Sequence, residues 1–106
     1  VAVTVIAAYR PKPGQSDALL ALVREHVPIL RRAGMATEVP PVVLKAADGT
    51  LLEIFDWVSE QAVARAHESP EIQALWERFG AVCDYVKLGE LAESTKLFPD
   101  FERIII

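Results

Sequence analysis

Cysteine is nearly absent from this sequence, and its scarcity excludes several things at once. Cys83 is the single thiol among 106 residues, so no intrachain disulfide can form. A lone thiol fits a reducing compartment. Beside it stand two histidines, His26 and His67, too few for a zinc site built from clustered Cys and His. Basic runs are missing as well: the longest is the pair Arg31-Arg32, and the net charge is −4. Such a chain has no electrostatic footprint for nucleic acid. No apolar run approaches the ~20 residues of a bilayer span, and no basic segment leads into a cleavage site. The expectation is a cytoplasmic protein with no metal, no nucleic-acid partner and no membrane segment.

Apolar residues, by contrast, are in surplus. They make up 52% of the chain against 25% charged residues, with a mean hydropathy of +0.25. The length fits a single domain spanning 1–106. A domain this small has a large surface for its volume, so an apolar surplus implies a subunit interface.

The periodicity changes along the chain. VAVTVIAAY carries apolar residues on both alternating faces and reads as a strand buried on both sides, ending at Arg10-Pro11-Lys12-Pro13-Gly14. From Gln15, Leu19, Leu22, Val23, His26, Leu30 and Ala33 recur at helical spacing. Ser16 or Asp17 suits the start of that helix and Gly34 its end, while Pro28 is expected to kink it or divide it near Val27. Residues 42–47 and 50–58 read as strands around an Asp48-Gly49 turn, a hairpin. Ser59 offers a helix N-cap, Ser69-Pro70-Glu71 restarts the helix, and Ile72, Leu75, Trp76, Phe79 and Cys83 form its apolar stripe. Residues 84–91 read as a last strand with Gly89 at a bulge or bend, and the apolar tail LFPDFERIII is expected to dock. The order βαββαβ predicts an α+β, ferredoxin-like fold, a four-stranded antiparallel sheet with both helices on one face. A second copy of the chain is the natural cover for the other face.

With the stretches RPKPGQSDALLALV, EIFDWVSEQAVARAHESP and LGELAESTKLFPDFERI in this order, the sequence resembles the dimeric α/β-barrel superfamily, and within it the antibiotic biosynthesis monooxygenase-like domains. The resemblance covers most of the chain. It implies a homodimer whose two sheets face each other in a barrel, with the C-terminal segment 92–106 packing on the dimer. It also implies a ligand pocket between the sheet and the helices of each subunit. Members include cofactor-free oxygenases of aromatic polyketides, quinol oxygenases and haem-degrading enzymes. The expected function is therefore a cofactor-independent oxidoreductase or monooxygenase acting on a small aromatic or quinone-like molecule. The alternatives are a non-catalytic small-molecule-binding or stress-related dimer, and a haem-binding protein.

Three residues are candidates for acid–base chemistry: His67, His26 and Glu53. The haem-degrading branch pairs a tryptophan at the end of the third strand with a helix histidine, and Trp57 and His67 hold similar places. That branch also uses an asparagine on the first strand, and residues 5–8 contain none. His67 can equally cap its helix or stand at a pocket rim. His26 lies within an apolar stripe, where its ring nitrogens need partners such as Glu53, Asp56 or a ligand. Glu53 and Asp56, three apart on a strand, point to opposite faces. Glu53 shares parity with Leu51, Phe55 and Trp57 and is expected to pair with Arg10 or Lys45. Trp57, Phe55, Trp76 and Phe79, with Tyr85, could line a site for a planar substrate or simply fill the core. Cys83, on an apolar helix face without a basic neighbour, is not expected to be reactive.

Overall fold

The computed structural model describes residues 1–106. Strand β1 (Val3–Pro11) is followed by α1 (Ser16–Arg32), the hairpin β2 (Val42–Lys45) and β3 (Leu51–Trp57), then α2 (Glu60–Glu68), α3 (Pro70–Val82) and β4 (Cys83–Tyr85). Two 3-10 turns, Leu88–Glu90 and Ala92–Thr95, lead to β5 (Glu102–Ile104). The strands form one antiparallel sheet in the order β4-β1-β3-β2-β5. The α+β class and the first four strands follow the expectation. The fifth strand does not: the tail docks on this chain's own sheet, pairing with Val43–Lys45 of β2.

Registry decides which side chains meet. Val5 lies opposite Phe55, Ala7 opposite Glu53 and Tyr9 opposite Leu51, so these residues share one face of the sheet. Helix α1 lies over that face through Leu19, Leu22, Val23, His26, Val27 and Leu30, all buried. Each large aliphatic group so buried contributes about 1.5–3 kcal/mol. Ala33 falls off the stripe; it is the exposed C-cap, and Gly34 follows in the left-handed region at φ 75°. Neither Ser16 nor Asp17 caps the start, since the N-cap is Gln15, whose side chain makes no capping bond, but Asp17 does place its carboxylate in the first turn. Pro28 does not divide α1, which runs unbroken from Ser16 to Arg32. Packing of both flanking turns holds the helix, while Pro28 has no N–H to offer the Arg24 carbonyl.

At the hairpin, the Ala46 N–H donates to the Thr50 carbonyl at 2.8 Å, and Asp48 Oδ1 accepts from the Thr50 N–H at 2.9 Å. Gly49 turns the chain at φ 93°. Ser59 caps α2 by accepting from the Ala62 N–H, and Ser69 caps α3 by accepting from the Ile72 N–H, as the sequence predicts. Cys83 is not on the helix face. It closes α3 and opens β4, with its thiol donating to the Phe79 carbonyl at 3.2 Å. The last strand is also shorter than residues 84–91. Glu90 folds back so that its carboxylate accepts from the Lys87 N–H at 2.7 Å, and Gly89 sits in a 3-10 turn instead of a bulge.

The second face of the sheet is only partly covered. Leu91 packs there with Ala8, Ala46 and Leu52, and Phe101 packs against them. Beyond that patch Thr4 and Ile6 of β1 lie exposed, so the strand is not buried on both faces within one chain. No helix is long and apolar enough to cross a membrane.

Candidate functional site

Between the sheet and the helices lies a cavity of about 460 Å³. That is within the usual range for small-molecule sites. Its walls are Val5, Ala7 and Tyr9 from β1, His26 from α1, Phe55 and Trp57 from β3, Val63 and His67 from α2, Trp76 and Phe79 from α3, and Tyr85 from β4. Both histidines therefore face the same space, together with all four aromatic residues proposed as substrate-binding. Strand parity places Phe55 and Trp57 there, and helical spacing places Trp76 and Phe79 beside them.

His26 is the polar centre of this wall. Its Nδ1 lies 2.8 Å from Glu53 Oε1, and its Nε2 lies 3.2 Å from the Trp76 indole nitrogen, which donates to it. Phe55 and Phe79 meet the imidazole edge-on, with ring centroids 5.3 and 5.1 Å away. The ring cannot rotate without breaking contacts on every side.

Glu53 is fully buried behind this wall. It does not pair with Arg10 or Lys45. Arg10 instead approaches Asp48 at 3.5 Å at the hairpin turn, and Lys45 is exposed. The reason is orientation: Glu53 points toward the helices, where Tyr9 and His26 are within reach. The Tyr9 hydroxyl donates to Glu53 Oε1 at 2.8 Å, so one oxygen takes both protons while Oε2 has no partner. Burial, followed by the charge of Glu53 and its hydrogen bond, pushes the Tyr9 phenol far above its ordinary range. Tyr9 consequently remains a donor at any working pH.

His67 stands at the exposed rim, its ring edge-on to Trp76 with centroids 4.9 Å apart. The Gln73 side chain donates to its carbonyl. Asp56 faces the opposite side of the sheet, where the Thr4 hydroxyl donates to it at 2.7 Å. Cys83 is buried, and desolvation with the nearby Asp84 charge raises its thiol to about 11, so it is no nucleophile.

No group of three or more His, Cys, Asp and Glu residues is arranged to hold a metal. From β1, Val5, Ala7 and Tyr9 face the cavity, and the Tyr9 hydroxyl is committed to Glu53. Tyr9 is the site residue that the sequence left unmarked. Its parity with Val5 and Ala7 was visible, but its reach to Glu53 required the β1–β3 register.

This arrangement of sheet, helices and intervening cavity has a counterpart among solved structures. The chain is similar in fold to Rv0793 from Mycobacterium tuberculosis. The superposition has a TM-score of 0.64 and spans 81% of this chain and 89% of Rv0793. At 22% sequence identity, Rv0793 establishes the fold alone. No protein-family model matches the chain, and no curated protein matches it either.

Proposed function

We propose that this protein binds a small planar aromatic or quinone-like molecule and acts on it as a cofactor-independent oxidoreductase of the monooxygenase type. One observation carries the reading: a histidine backed by a buried carboxyl, His26 on Glu53, opens onto an otherwise aromatic and aliphatic cavity. His26 Nε2 is the general base, taking a proton from an acidic hydroxyl or an activated C–H of the substrate. Glu53 stabilises the imidazolium that results, and Tyr9 fixes the carboxyl in place. The dry walls raise the reactivity of the carbanion or phenolate left behind. Dioxygen from solution is the oxidant. For an anthrone-type methylene, CH2 and O2 become C=O and H2O, one oxygen atom going to each product.

The test is aerobic turnover of anthrone to anthraquinone, followed by absorbance and oxygen consumption. Wild type should accelerate it, and His26→Ala should lose about 10²-fold or more, the usual range for a general base. Equal rates in the two proteins would sink the assignment. The reading also includes a homodimer. On the second sheet face, Ile6, Leu44, Leu52 and Ile54 line an apolar groove of about 400 Å³ with Leu88 and Phe101. Ile6 remains 49% exposed there, next to a C-terminal segment whose Leu97 and Phe98 also lie open. Sedimentation should give a dimer at micromolar concentration and a monomer for Ile6→Asp; a monomeric wild type refutes it.

A further inference from the structure

The tautomer of His26 follows from its neighbours. An indole N–H can only donate, so the His26 Nε2 that it meets at 3.2 Å is an acceptor. The ring proton is then on Nδ1, donating to Glu53 Oε1 at 2.8 Å. What His26 offers the cavity is a lone pair, and Trp76 already occupies it. Trp76 is itself half-buried: its ring packs against both apolar clusters of the core and meets the exposed His67 ring edge-on.

We infer that the Trp76 indole N–H holds the place of a ligand hydroxyl. A ligand that donates a hydrogen bond displaces the indole from His26 Nε2; a ring of the same shape without a donor does not. The His26 Nε2 acceptor favours hydroxylated aromatics, such as phenols, naphthols and quinols, over their deoxy counterparts, and Trp76 is a specificity-determining residue because its N–H competes for that acceptor and tempers the preference. This inference rests on the cavity being an aromatic-ligand site. Displacement also has a cost: one net hydrogen bond must be exchanged, which lowers affinity for the hydroxylated ligand by about fivefold.

The experiment compares 1-naphthol with 1-methylnaphthalene, which has nearly the same outline and no donor, by calorimetric titration of wild type and Trp76→Phe. Phenylalanine keeps an aromatic wall and leaves Nε2 free. The preference for 1-naphthol should therefore rise about fivefold in Trp76→Phe, whereas a purely packing role would weaken both ligands alike. A second readout needs no variant to fold well. The Trp76 indole proton resonance of wild type should move further upfield with 1-naphthol than with 1-methylnaphthalene, because only the former breaks its bond to the imidazole. An unchanged or smaller preference in Trp76→Phe, or identical shifts with both ligands, overturns the inference and leaves the cavity reading intact. If wild type binds neither ring, both fall together.

Discussion

Removing the Tyr9 hydroxyl isolates the bond that anchors the site. In Tyr9→Phe the ring remains packed on Phe79, with centroids 5.1 Å apart, and only the 2.8 Å bond to Glu53 is lost. Tyr9 is 3% exposed, so water cannot replace the missing donor. A hydrogen bond to a charged group contributes about 1.5–3 kcal/mol, and the variant should be destabilised by that amount. With a urea m-value on the order of 1–2 kcal/mol/M, the unfolding midpoint falls by about 0.75–3 M. Glu53→Leu strands two buried donors, the Tyr9 hydroxyl and His26 Nδ1–H, at about 1–3 kcal/mol each. Relief of the buried carboxyl offsets part of that. In the double variant the stranded hydroxyl is gone, so adding Tyr9→Phe to Glu53→Leu should cost about nothing. The cycle should therefore show coupling of about 1.5 kcal/mol or more, measured by urea unfolding at one fixed protein concentration because assembly is linked to stability. Additivity within about 0.5 kcal/mol would refute the network.

Alkaline pH should unfold the protein early. Tyr9, Tyr85 and Cys83 are all raised, chiefly by burial, from ordinary values of 10.0, 10.0 and 9.0. Above those values the unfolded chain has released protons that the folded chain retains, so stability is complete below pH 9 and falls as pH rises beyond it. Urea midpoints measured from pH 8 to 11 should show this decline, with a shallower slope above pH 10 in Tyr9→Phe; a flat profile contradicts the burial argument. Cys83, at about 11, is on the order of 0.1% thiolate at pH 8. Ellman's reagent should label it only after denaturant is added, and fast native labelling would show that the strand junction opens. Haemin titration should give the same Soret spectrum for wild type and His67→Ala; a band lost with His67 would favour haem binding over the oxidoreductase proposal.

The local elements were legible because their signals are local. Ser59 and Ser69 are followed by helical periodicity, and Asp48-Gly49 sits between alternating runs, so caps and hairpin needed no tertiary information. Parity alone put Glu53 on the face of Leu51, Phe55 and Trp57. What escaped was whatever depends on reach across the fold. Glu53 pairs with neither Arg10 nor Lys45, because charge and parity name candidate partners while the distance to Tyr9 is set by the β1–β3 register. The short β4 escaped because the Glu90 carboxylate competes with the ladder for the Lys87 N–H, and the sequence does not display that competition. The fifth strand escaped because three residues, Glu102–Ile104, are too few to show alternation.

The polar network draws one residue each from β1, α1, β3 and α3, and the shortest stretch holding all four runs from Tyr9 to Trp76. No hairpin or helical pair, however stable by itself, contains the site. A nascent chain cannot assemble it until α3 has been synthesised and docked. Until then Glu53 is a solvated carboxyl, and its burial becomes tolerable only when its partners arrive. Loss of the network is expected to speed unfolding more than it slows folding, which the unfolding and refolding rates of Tyr9→Phe would show.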